Sequence, residues 1–279
     1  MELSFFKSII LGIVQGLTEF LPISSTAHLI LSSNFLKLEL SDFLKSFIVI
    51  IQLGSILAVI ILYWKKVFSN FSLYFKKVLS AFIPTAIIGL IFYQFVKDYL
   101  QESLEVISLA LFLGGVLMMS FERNFKEKEQ ARKKEEEVLA RAGETLPIEK
   151  KEGIESISYK QAIIIGVFQA LAIVPGVSRS AATILGGLAL GISRVVIVEF
   201  SFLLAVPTIL AASSLDLYKS ALSFSGREIA LLSVGFIVSF IVAWLSIKFL
   251  LSYIKKNSFS VFAWYRVILA FILFLWLYT

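Results

Sequence analysis

Long apolar runs limit what this chain can fold into more than any other feature of its sequence. Of its 279 residues, 58% are hydrophobic and the mean hydropathy is +0.88, whereas soluble domains are about 45–50% apolar. An apolar run of about twenty residues can cross a hydrocarbon core of roughly 30 Å as a helix. Such runs are Phe47–Trp64, Ser103–Phe121, Ile229–Leu251 and Val261–Tyr278. The sequence therefore predicts an all-α polytopic membrane protein surrounded by the lipid bilayer.

Composition also excludes several kinds of chemistry. The chain has no cysteine and one histidine, His28. Thiolate catalysis, cysteine-bound metals and any mechanism that needs two histidines are therefore unavailable. The net charge is +6, but the Lys and Arg residues are scattered over short loops, so no nucleic-acid partner is indicated.

A charged segment divides the chain into two halves. Glu122–Ser156 is rich in Lys and Glu, with many pairs of opposite sign three or four residues apart. This pattern favours a solvated, partly helical linker; a regulatory or partner-binding role is the alternative. We place the linker at 123–158, between a first repeat at 1–122 and a second at 159–279.

The two halves resemble each other around one polar stretch. GIVQGLTEFLPISSTAHLIL, at 12–31, aligns with GVFQALAIVPGVSRSAATIL, at 166–185, when the chain is shifted by 154 positions. The matched pairs are Gly12 and Gly166, Gln15 and Gln169, Leu17 and Leu171, Ser24 and Ser178, Thr26 and Ser180, Ala27 and Ala181, and Leu31 and Leu185. Chance similarity between apolar segments is the alternative, but the shared order of Gly, Gln and hydroxyl residues favours an internal repeat.

Each half is predicted to contain one broken apolar segment followed by three full-length helices. The broken segments, about 3–35 and 159–191, carry a proline and hydroxyl residues in their middle. Such a break is tolerated at membrane depth only where it is buried in protein or lines a wet cavity. We interpret each segment as a re-entrant helical hairpin; a single kinked span is the alternative. The predicted spans are 44–64, 78–97, 103–121, 194–214, 228–250 and 261–278.

The number of spans and the loop charges predict topology. Three crossings per half is an odd number, so re-entrant hairpins would make the halves an inverted-topology repeat, as in many transporters. The loops at 65–77 and 251–260 then share a side with the linker, and they carry lysines and no acidic residue. The positive-inside rule therefore predicts a cytoplasmic linker, with both termini on the outer side.

The first half-helix carries an ionisable residue inside an apolar segment. Gln15 and Glu19 are four residues apart and share a helix face. An ionisable residue at membrane depth costs about 2.5–3.5 kcal/mol, so Glu19 is a functional candidate by default. A protonated or helix-capping glutamate with a structural role is the alternative.

Hydroxyl residues and the histidine follow the first break. Ser24, Ser25 and Thr26 are natural N-caps, so a second half-helix is predicted to begin there. His28 lies three residues after Ser25, within reach of its hydroxyl or of a ligand held beside it. A buried structural histidine is the alternative.

The second break, PGVSRSAAT at 175–183, has the features of an anion site. Ser178, Arg179 and Ser180 open a predicted half-helix, and Thr183 lies one turn later. A helix N-terminus favours negative charge, and a guanidinium binds phosphate oxygens in a bidentate way. The alternative is an arginine that reaches to a membrane interface, and a Pro-Gly break in mid-segment argues against it.

By inverted symmetry the two breaks are predicted to meet near the membrane midplane. One carboxylate, one imidazole, one guanidinium and several hydroxyls would then lie together. These groups supply an anion cradle, a nucleophile and a base, which suit phosphoryl transfer. Ser25, His28 and water are all candidate nucleophiles.

Two motifs carry a resemblance to a known family. QGLTEFLPISSTAHL, at 15–29, and PGVSRSAAT, at 175–183, closely resemble the signature motifs of bacterial undecaprenyl-diphosphate phosphatases of the bacitracin-resistance type. Those motifs are [E/Q]xxxE with a nearby Ser and His, and PGxSRSxxT. The resemblance covers essentially the whole chain, including QLGSILAV at 52–59 and FSFLLAVP at 200–207.

The resemblance implies hydrolysis of C55 polyprenyl diphosphate to the monophosphate, which recycles the lipid carrier of peptidoglycan synthesis. It also implies a bacterial cytoplasmic membrane protein whose active site is reached from the outer side. By position, Glu19, Ser25, His28 and Arg179 are the implied catalytic residues. The implied substrate-binding residues are Gln15, Ser24, Thr26, Ser178, Ser180 and Thr183.

The resemblance further implies a divalent cation, Mg²⁺ or Ca²⁺, with Glu19 as its protein ligand. Gln15 in place of a second carboxylate weakens a two-carboxylate metal site, so the diphosphate and waters would supply most ligands. Ala181 stands where many members have Gly, which tightens the local backbone without removing a functional group.

Other classes of function remain open at the level of sequence. A transporter of a polyprenyl phosphate or another anionic lipid fits an inverted repeat with broken helices equally well. A structural membrane scaffold leaves Glu19, His28 and Arg179 without a purpose. A second copy of the chain, in a homodimer, is a further candidate partner.

Overall fold

The computed structural model of the protein describes residues 2–39, 41–100, 103–141, 153–219 and 224–278. Within these ranges every regular element is helical. The α-helices are α1 Phe5–Thr18, α2 Ser25–Phe35, α3 Asp42–Ser69, α4 Phe71–Tyr99, α5 Leu104–Arg141, α6 Tyr159–Ala170, α7 Arg179–Ala189, α8 Arg194–Lys219, α9 Gly226–Ile254 and α10 Ser260–Tyr278. Short 3₁₀ turns lie at Ile154–Ser156 and Leu171–Ile173.

Six of the described helices are long and apolar enough to cross a membrane: α3, α4, α5, α8, α9 and α10. The prediction of a polytopic helical membrane protein is therefore confirmed. The short helices α1, α2, α6 and α7 occupy the two broken segments. In each half, the break lies between two short helices, as the positions of the prolines and serines predicted.

The loop predicted at 65–77 is wrong. Helix α3 continues to Ser69 and α4 begins at Phe71, so Asn70 alone separates them. The apolar pattern ends at the lysine pairs, but helical hydrogen bonds continue through them. Lysine stems can lie along the helix while their ammonium groups find polar partners, as Lys66 does at Glu199 and Lys77 at the backbone carbonyls that precede α6. Most of the predicted spans are shorter than the observed helices, because the helices continue beyond the apolar runs.

The linker predicted at 123–158 lies partly within the described residues. Helix α5 continues past the apolar region through Arg141, whereas 142–152 lie outside the described residues. After this gap, the 3₁₀ turn packs against α4. Lys77 Nζ donates to the carbonyls of Ile154 and Glu155, at 3.0 and 2.8 Å, and the Tyr74 hydroxyl donates to Glu155 Oε1 at 2.8 Å.

Serines start the second short helix of each half. The Ser24 hydroxyl accepts the N–H of Ala27 at 3.4 Å, and the Ser178 hydroxyl accepts the N–H of Ala181 at 3.2 Å. Such an N-cap satisfies one of the unpaired donors of a helix end. Ser24 has φ 74° and ψ 92°, an unfavourable conformation for a residue with a side chain, and such strain is found most often at functional sites.

Glycines let the first short helix of each half approach a long helix closely. A Cβ built at Gly12 in α1 would lie 2.8 Å from the Gly235 carbonyl oxygen and 3.0 Å from Val238 Cβ in α9. A Cβ built at Gly166 in α6 would overlap the Ala81 carbonyl oxygen and lie 2.7 Å from Pro84 in α4. Small residues allow such close packing between membrane helices. The two glycines are 154 positions apart, and so are the residues that they meet.

Replacing Gly166 with alanine is expected to lower the stability of the folded protein. The new methyl group would push α6 away from α4, and overpacking of this kind costs about 1–3 kcal/mol. The measurement is the temperature at which detergent-purified protein loses its monodisperse state. Gly89→Ala in α4 is the matched control, because no atom lies within 4 Å of a Cβ built there. Equal transition temperatures for the two variants would contradict the close packing.

Candidate active site

The two breaks contact each other directly. The Ser180 hydroxyl, in the first turn of α7, donates to the carbonyl oxygen of Leu21 at 2.9 Å. Arg179 Nη2 lies 3.4 Å from the carbonyl oxygen of Glu19 and 3.3 Å from its Oε1. Residues separated by about 160 positions thus form one polar site between the halves.

The Glu19 carboxylate is the centre of this site. The side chain is buried, and Oε2 accepts hydrogen bonds from Gln15 Nε2 at 2.9 Å and from the Ser25 hydroxyl at 2.7 Å. Oε1 pairs with Arg179. A buried carboxylate is tolerated when it is paired and hydrogen-bonded, and these three donors compensate its removal from water.

Arg179 joins the second break to the first. Its Nη1 donates to the carbonyl oxygen of Ser201 at 3.0 Å, and its guanidinium carbon lies 5.9 Å from the centre of the Phe20 ring. The Nε atom is buried and has no hydrogen-bond partner among the described residues. The guanidinium is therefore held in place while one of its donors remains unpaired among the described residues.

The hydroxyl residues of the second break are buried and bonded within the protein. The Ser178 and Ser180 hydroxyls lie 3.0 Å apart, and the Thr183 hydroxyl lies 2.6 Å from that of Ser201. Thr183 also donates to backbone oxygens of α7. In this arrangement these side chains shape the first turn of α7; their binding to a substrate remains a prediction.

His28 has partners that the sequence did not indicate. Its Nδ1 lies 2.7 Å from the carbonyl oxygen of Ser24, and its Nε2 lies 2.6 Å from the Tyr265 hydroxyl. Because a carbonyl oxygen only accepts, Nδ1 carries the proton and Nε2 of the neutral ring accepts from the tyrosine. The two rings also stack, with centres 5.6 Å apart. The imidazole thus bonds to Ser24 and Tyr265 rather than to Ser25.

Replacing Tyr265 with phenylalanine tests whether this orientation of His28 serves the reaction. The variant keeps the ring stacking and loses one hydrogen bond, worth about 0.5–1.5 kcal/mol. We expect turnover per folded protein to fall by roughly three- to tenfold, with a loss of thermal stability no larger than that one hydrogen bond accounts for. Tyr218→Phe is the control, because Tyr218 is exposed. Parent turnover in the Tyr265 variant would show that the hydrogen bond from Tyr265 to His28 does not serve the reaction.

A second layer of hydroxyls supports Gln15. Its Nε2 also lies 3.4 Å from the Ser55 hydroxyl, which in turn lies 2.7 Å from the Ser239 hydroxyl. Gln15 Oε1 is buried and has no partner among the described residues. The amide is therefore fixed by α3 and α9 beside Glu19, with one oxygen unpaired.

The predicted site residues fall into three groups. Gln15, Glu19, Ser25 and Arg179 form one hydrogen-bonded network. Adjacent to it are Ser178, Ser180, Thr183, Ser24 and His28. The Thr26 side chain is exposed, and no described polar group contacts it, so its predicted role in substrate binding gains no support.

Two residues of α10 were missed by the sequence reasoning. Tyr265 contacts His28, and Arg266 is buried against both breaks. Arg266 carried a signal, since a charged side chain inside a membrane segment is a functional candidate by default. Tyr265 carried none, because tyrosine is ordinary in an apolar segment.

Known proteins match the chain over nearly its whole length. The model of the bacitracin resistance protein BacA family matches residues 8–272. The undecaprenyl-diphosphatase of Wolinella succinogenes is 44% identical over 272 residues, covering 98% of each chain. That of Aquifex aeolicus is 41% identical over 267 residues, covering 96% of each, and that of Enterococcus faecalis is 41% identical over 284 residues, covering 96% of this chain and 95% of the relative. The chain therefore belongs to the BacA family of bacitracin resistance proteins.

Proposed function

We propose that the protein is a membrane phosphatase that hydrolyses undecaprenyl diphosphate to undecaprenyl phosphate and inorganic phosphate. The observation that carries the proposal is the hydroxyl of Ser25, 2.7 Å from a Glu19 carboxylate that pairs with Arg179 of the other break. A hydroxyl, a base and a guanidinium are thus adjacent. The names of the relatives supply the substrate, and its use in cell-wall synthesis and bacitracin resistance follows from that identity.

In the proposed reaction, Arg179 binds the terminal phosphate. Its unpaired Nε donates to a phosphate oxygen, and the guanidinium stabilises the negative charge that builds up in the transition state. The Ser25 oxygen attacks the terminal phosphorus, while Glu19 accepts the hydroxyl proton. The bond from that phosphorus to the bridging oxygen breaks, which releases the polyprenyl monophosphate and leaves a phosphoserine.

The second step restores the enzyme. The proton on Glu19 passes to the departing monophosphate, and the carboxylate then takes a proton from a water molecule. That water attacks the phosphoserine, inorganic phosphate leaves, and the proton returns to the Ser25 oxygen. One carboxylate serves as base in both steps, which is consistent with a single carboxylate in the two breaks.

The oxygen atoms around Glu19 fit a divalent cation only in part. The described residues contain no group of three His, Asp or Glu side chains that could hold a metal ion. The unpaired Gln15 Oε1, the Glu19 carboxylate and the Ser25 hydroxyl are the available protein ligands. When bound there, Mg²⁺ or Ca²⁺ would take its remaining ligands from phosphate and water, and would neutralise phosphate charge.

Matched packing supports the proposal that the halves form an inverted repeat with re-entrant short helices. Helix α1 packs against α9 of the other half, and α6 packs against α4, through glycines at equivalent positions. Gln169 Nε2 donates to the hydroxyls of Thr85 and Thr208, and Gln15 Nε2 donates to the Ser55 hydroxyl, which in turn contacts that of Ser239. Thr85 and Ser239 are again 154 positions apart.

The proposed orientation places the linker in the cytoplasm of a bacterial cell. The lysine-rich ends of α3 and α4 lie beside the last part of the linker. There Lys77 binds the 3₁₀ turn Ile154–Ser156, and Lys66 pairs with Glu199 of α8. Positive charge is retained on the cytoplasmic side of membrane proteins. The breaks would then be reached from the outer side of the cytoplasmic membrane.

Phosphate release from a C55 diphosphate by the purified protein in detergent tests the function. We expect release, and with substrate labelled on the terminal phosphate we expect transient labelling of the protein that Ser25→Ala abolishes. Ser33→Ala is the control, because Ser33 is buried in the same helix and its hydroxyl has no partner among the described residues. Lipid movement across proteoliposomes without phosphate release would favour a transporter instead. Release without protein labelling would assign the attack to water.

A further inference from the structure

Arg266 is a buried charge that the reaction proposed above does not use. It is the only charged residue of α10, Ser260–Tyr278, and its exposed fraction is 1%. Placing such a charge at membrane depth costs about 2.5–3.5 kcal/mol. A residue with that cost must make interactions that an apolar side chain could not replace.

The guanidinium of Arg266 binds backbone oxygens of three chain segments. Nη1 donates to the Pro22 carbonyl at 3.3 Å, and Nη2 donates to the Gly176 carbonyl at 3.2 Å. Nη2 and Nε also donate to the carbonyls of Ala110 and Leu111 in α5, at 3.1 and 3.4 Å. Pro22 and Gly176 belong to the two breaks, so one rigid, planar group joins both breaks to α5.

The positions of these carbonyls relate Arg266 to the site. Glu19 lies three residues before Pro22, and Arg179 lies three residues after Gly176. Holding the two carbonyls on one guanidinium therefore limits the separation of the carboxylate and the arginine that form the ion pair. Within the described part of the chain, Arg266 forms no hydrogen bond with Glu19 or Arg179.

The structure leaves the charge of Arg266 without a carboxylate partner. Arg179 pairs with Glu19 and Arg194 pairs with Glu122, but Arg266 forms no ion pair with a described residue and is surrounded by carbonyl dipoles. The ion pair of the site is neutral, so the charge of Arg266 leaves the region net positive. That sign suits the binding of a diphosphate anion.

Two glycines make room for this arrangement. A Cβ built at Gly114 in α5 would overlap the guanidinium of Arg266. Gly176 has φ +90°, a conformation that glycine adopts readily and other residues rarely adopt. The Arg266 pocket therefore depends on glycine in two of the three segments that line it, α5 and the second break.

We propose that Arg266 is a positioning residue of the active site, which holds the two breaks in register so that Glu19 and Arg179 meet. This inference rests on the phosphatase function proposed above. It predicts that moving the guanidinium, without removing its charge, separates the breaks and slows the reaction.

Gly114→Ala and Arg266→Lys test the proposal. Gly114→Ala displaces the guanidinium of Arg266 without removing it. Arg266→Lys keeps the positive charge but loses the planar group with its several donors. We expect each to lower turnover per folded protein by roughly 10²-fold, since small misplacements of reacting groups have effects of that order. In an Arg179→Lys background the further loss should be small, because the second break is then already impaired. Gly89→Ala is the control, since its Cβ would meet no atom within 4 Å.

A spectroscopic measurement separates positioning from activity. The chain has no cysteine, so spin labels can be placed at Phe35→Cys in α2 and Leu171→Cys at the second break, both of them exposed positions. We expect Gly114→Ala to broaden or shift the distance distribution between the labels, and Gly89→Ala to leave it unchanged. An unchanged distribution with parent turnover per folded protein would overturn the proposal. A parent protein that releases no phosphate would reject the phosphatase function, while the label distances would still test the role of Arg266.

Discussion

Glu19→Gln is expected to reduce phosphate release by roughly 10²–10⁴-fold, the usual contribution of a general base. The amide keeps the size of the side chain, but it cannot act as a base toward the Ser25 hydroxyl, whose oxygen lies 2.7 Å from Glu19 Oε2. It also leaves Arg179 without its ionic partner, and the loss of one member of a buried pair costs about 3–5 kcal/mol. Turnover must therefore be normalised to the amount of folded protein.

Glu122→Gln is the matched control for the loss of a buried ion pair. Glu122 is buried and pairs with Arg194 at 3.0 Å, but it lies at neither break. We expect this variant to lose stability and to keep turnover per folded protein within a few-fold of the parent. A Glu19→Gln protein that turns over as fast as Glu122→Gln would contradict the role of Glu19 as base.

The response of turnover to divalent cation distinguishes the two roles proposed for Glu19, metal ligand and general base. If the carboxylate is a ligand, Glu19→Asp should require more Mg²⁺ or Ca²⁺ for half-maximal turnover, because its carboxylate is one methylene shorter. If it acts as a base alone, the variant should be slower at every cation concentration with the same half-maximal value. The measurement is turnover as a function of cation concentration for the parent, Glu19→Asp and Glu19→Gln.

Local rules account for the part of the site that could be predicted from sequence. The four-residue spacing of Gln15 and Glu19 predicted a shared helix face, and their side chains are 2.9 Å apart. The preference of serine for helix starts predicted the caps at Ser24 and Ser178, which both form. The repeat predicted that the breaks meet, and Arg179 does reach Glu19.

The parts that were missed depend on single residues or on distant contacts. The mean hydropathy of the run at 261–278 stays high although the run contains one arginine, so the average did not reveal Arg266. This residue binds both breaks. The partner of His28 lies 237 positions away, at Tyr265, and no local pattern relates the two. Thr26 was grouped with its neighbours by residue type, but successive helical residues point about 100° apart. Its side chain is exposed, and its role in substrate binding stays a prediction.

Arg179→Lys is expected to lose at least about 10²-fold in turnover, although it conserves charge. Arginine presents its donors in a planar fork, and here Nη1 binds the Ser201 carbonyl while Nη2 binds Glu19. A lysine at this position can keep the ion pair, but it cannot keep these bonds and also offer Nε to phosphate. Removal of one donor from a charge-stabilising site typically costs about 10²–10³-fold.

Arg194→Lys is the control for this substitution, because Arg194 forms the other buried pair with a glutamate and lies at neither break. Both lysine variants are expected to fold, since each retains a cation beside its carboxylate. If Arg179 acts mainly on the transition state, kcat should fall more than KM rises. If Arg179 only holds the breaks together through Glu19, the lysine variant should keep near-parent turnover, because the ion pair survives. The comparison of kcat and KM between the two variants therefore assigns Arg179 either to the phosphate or to the fold.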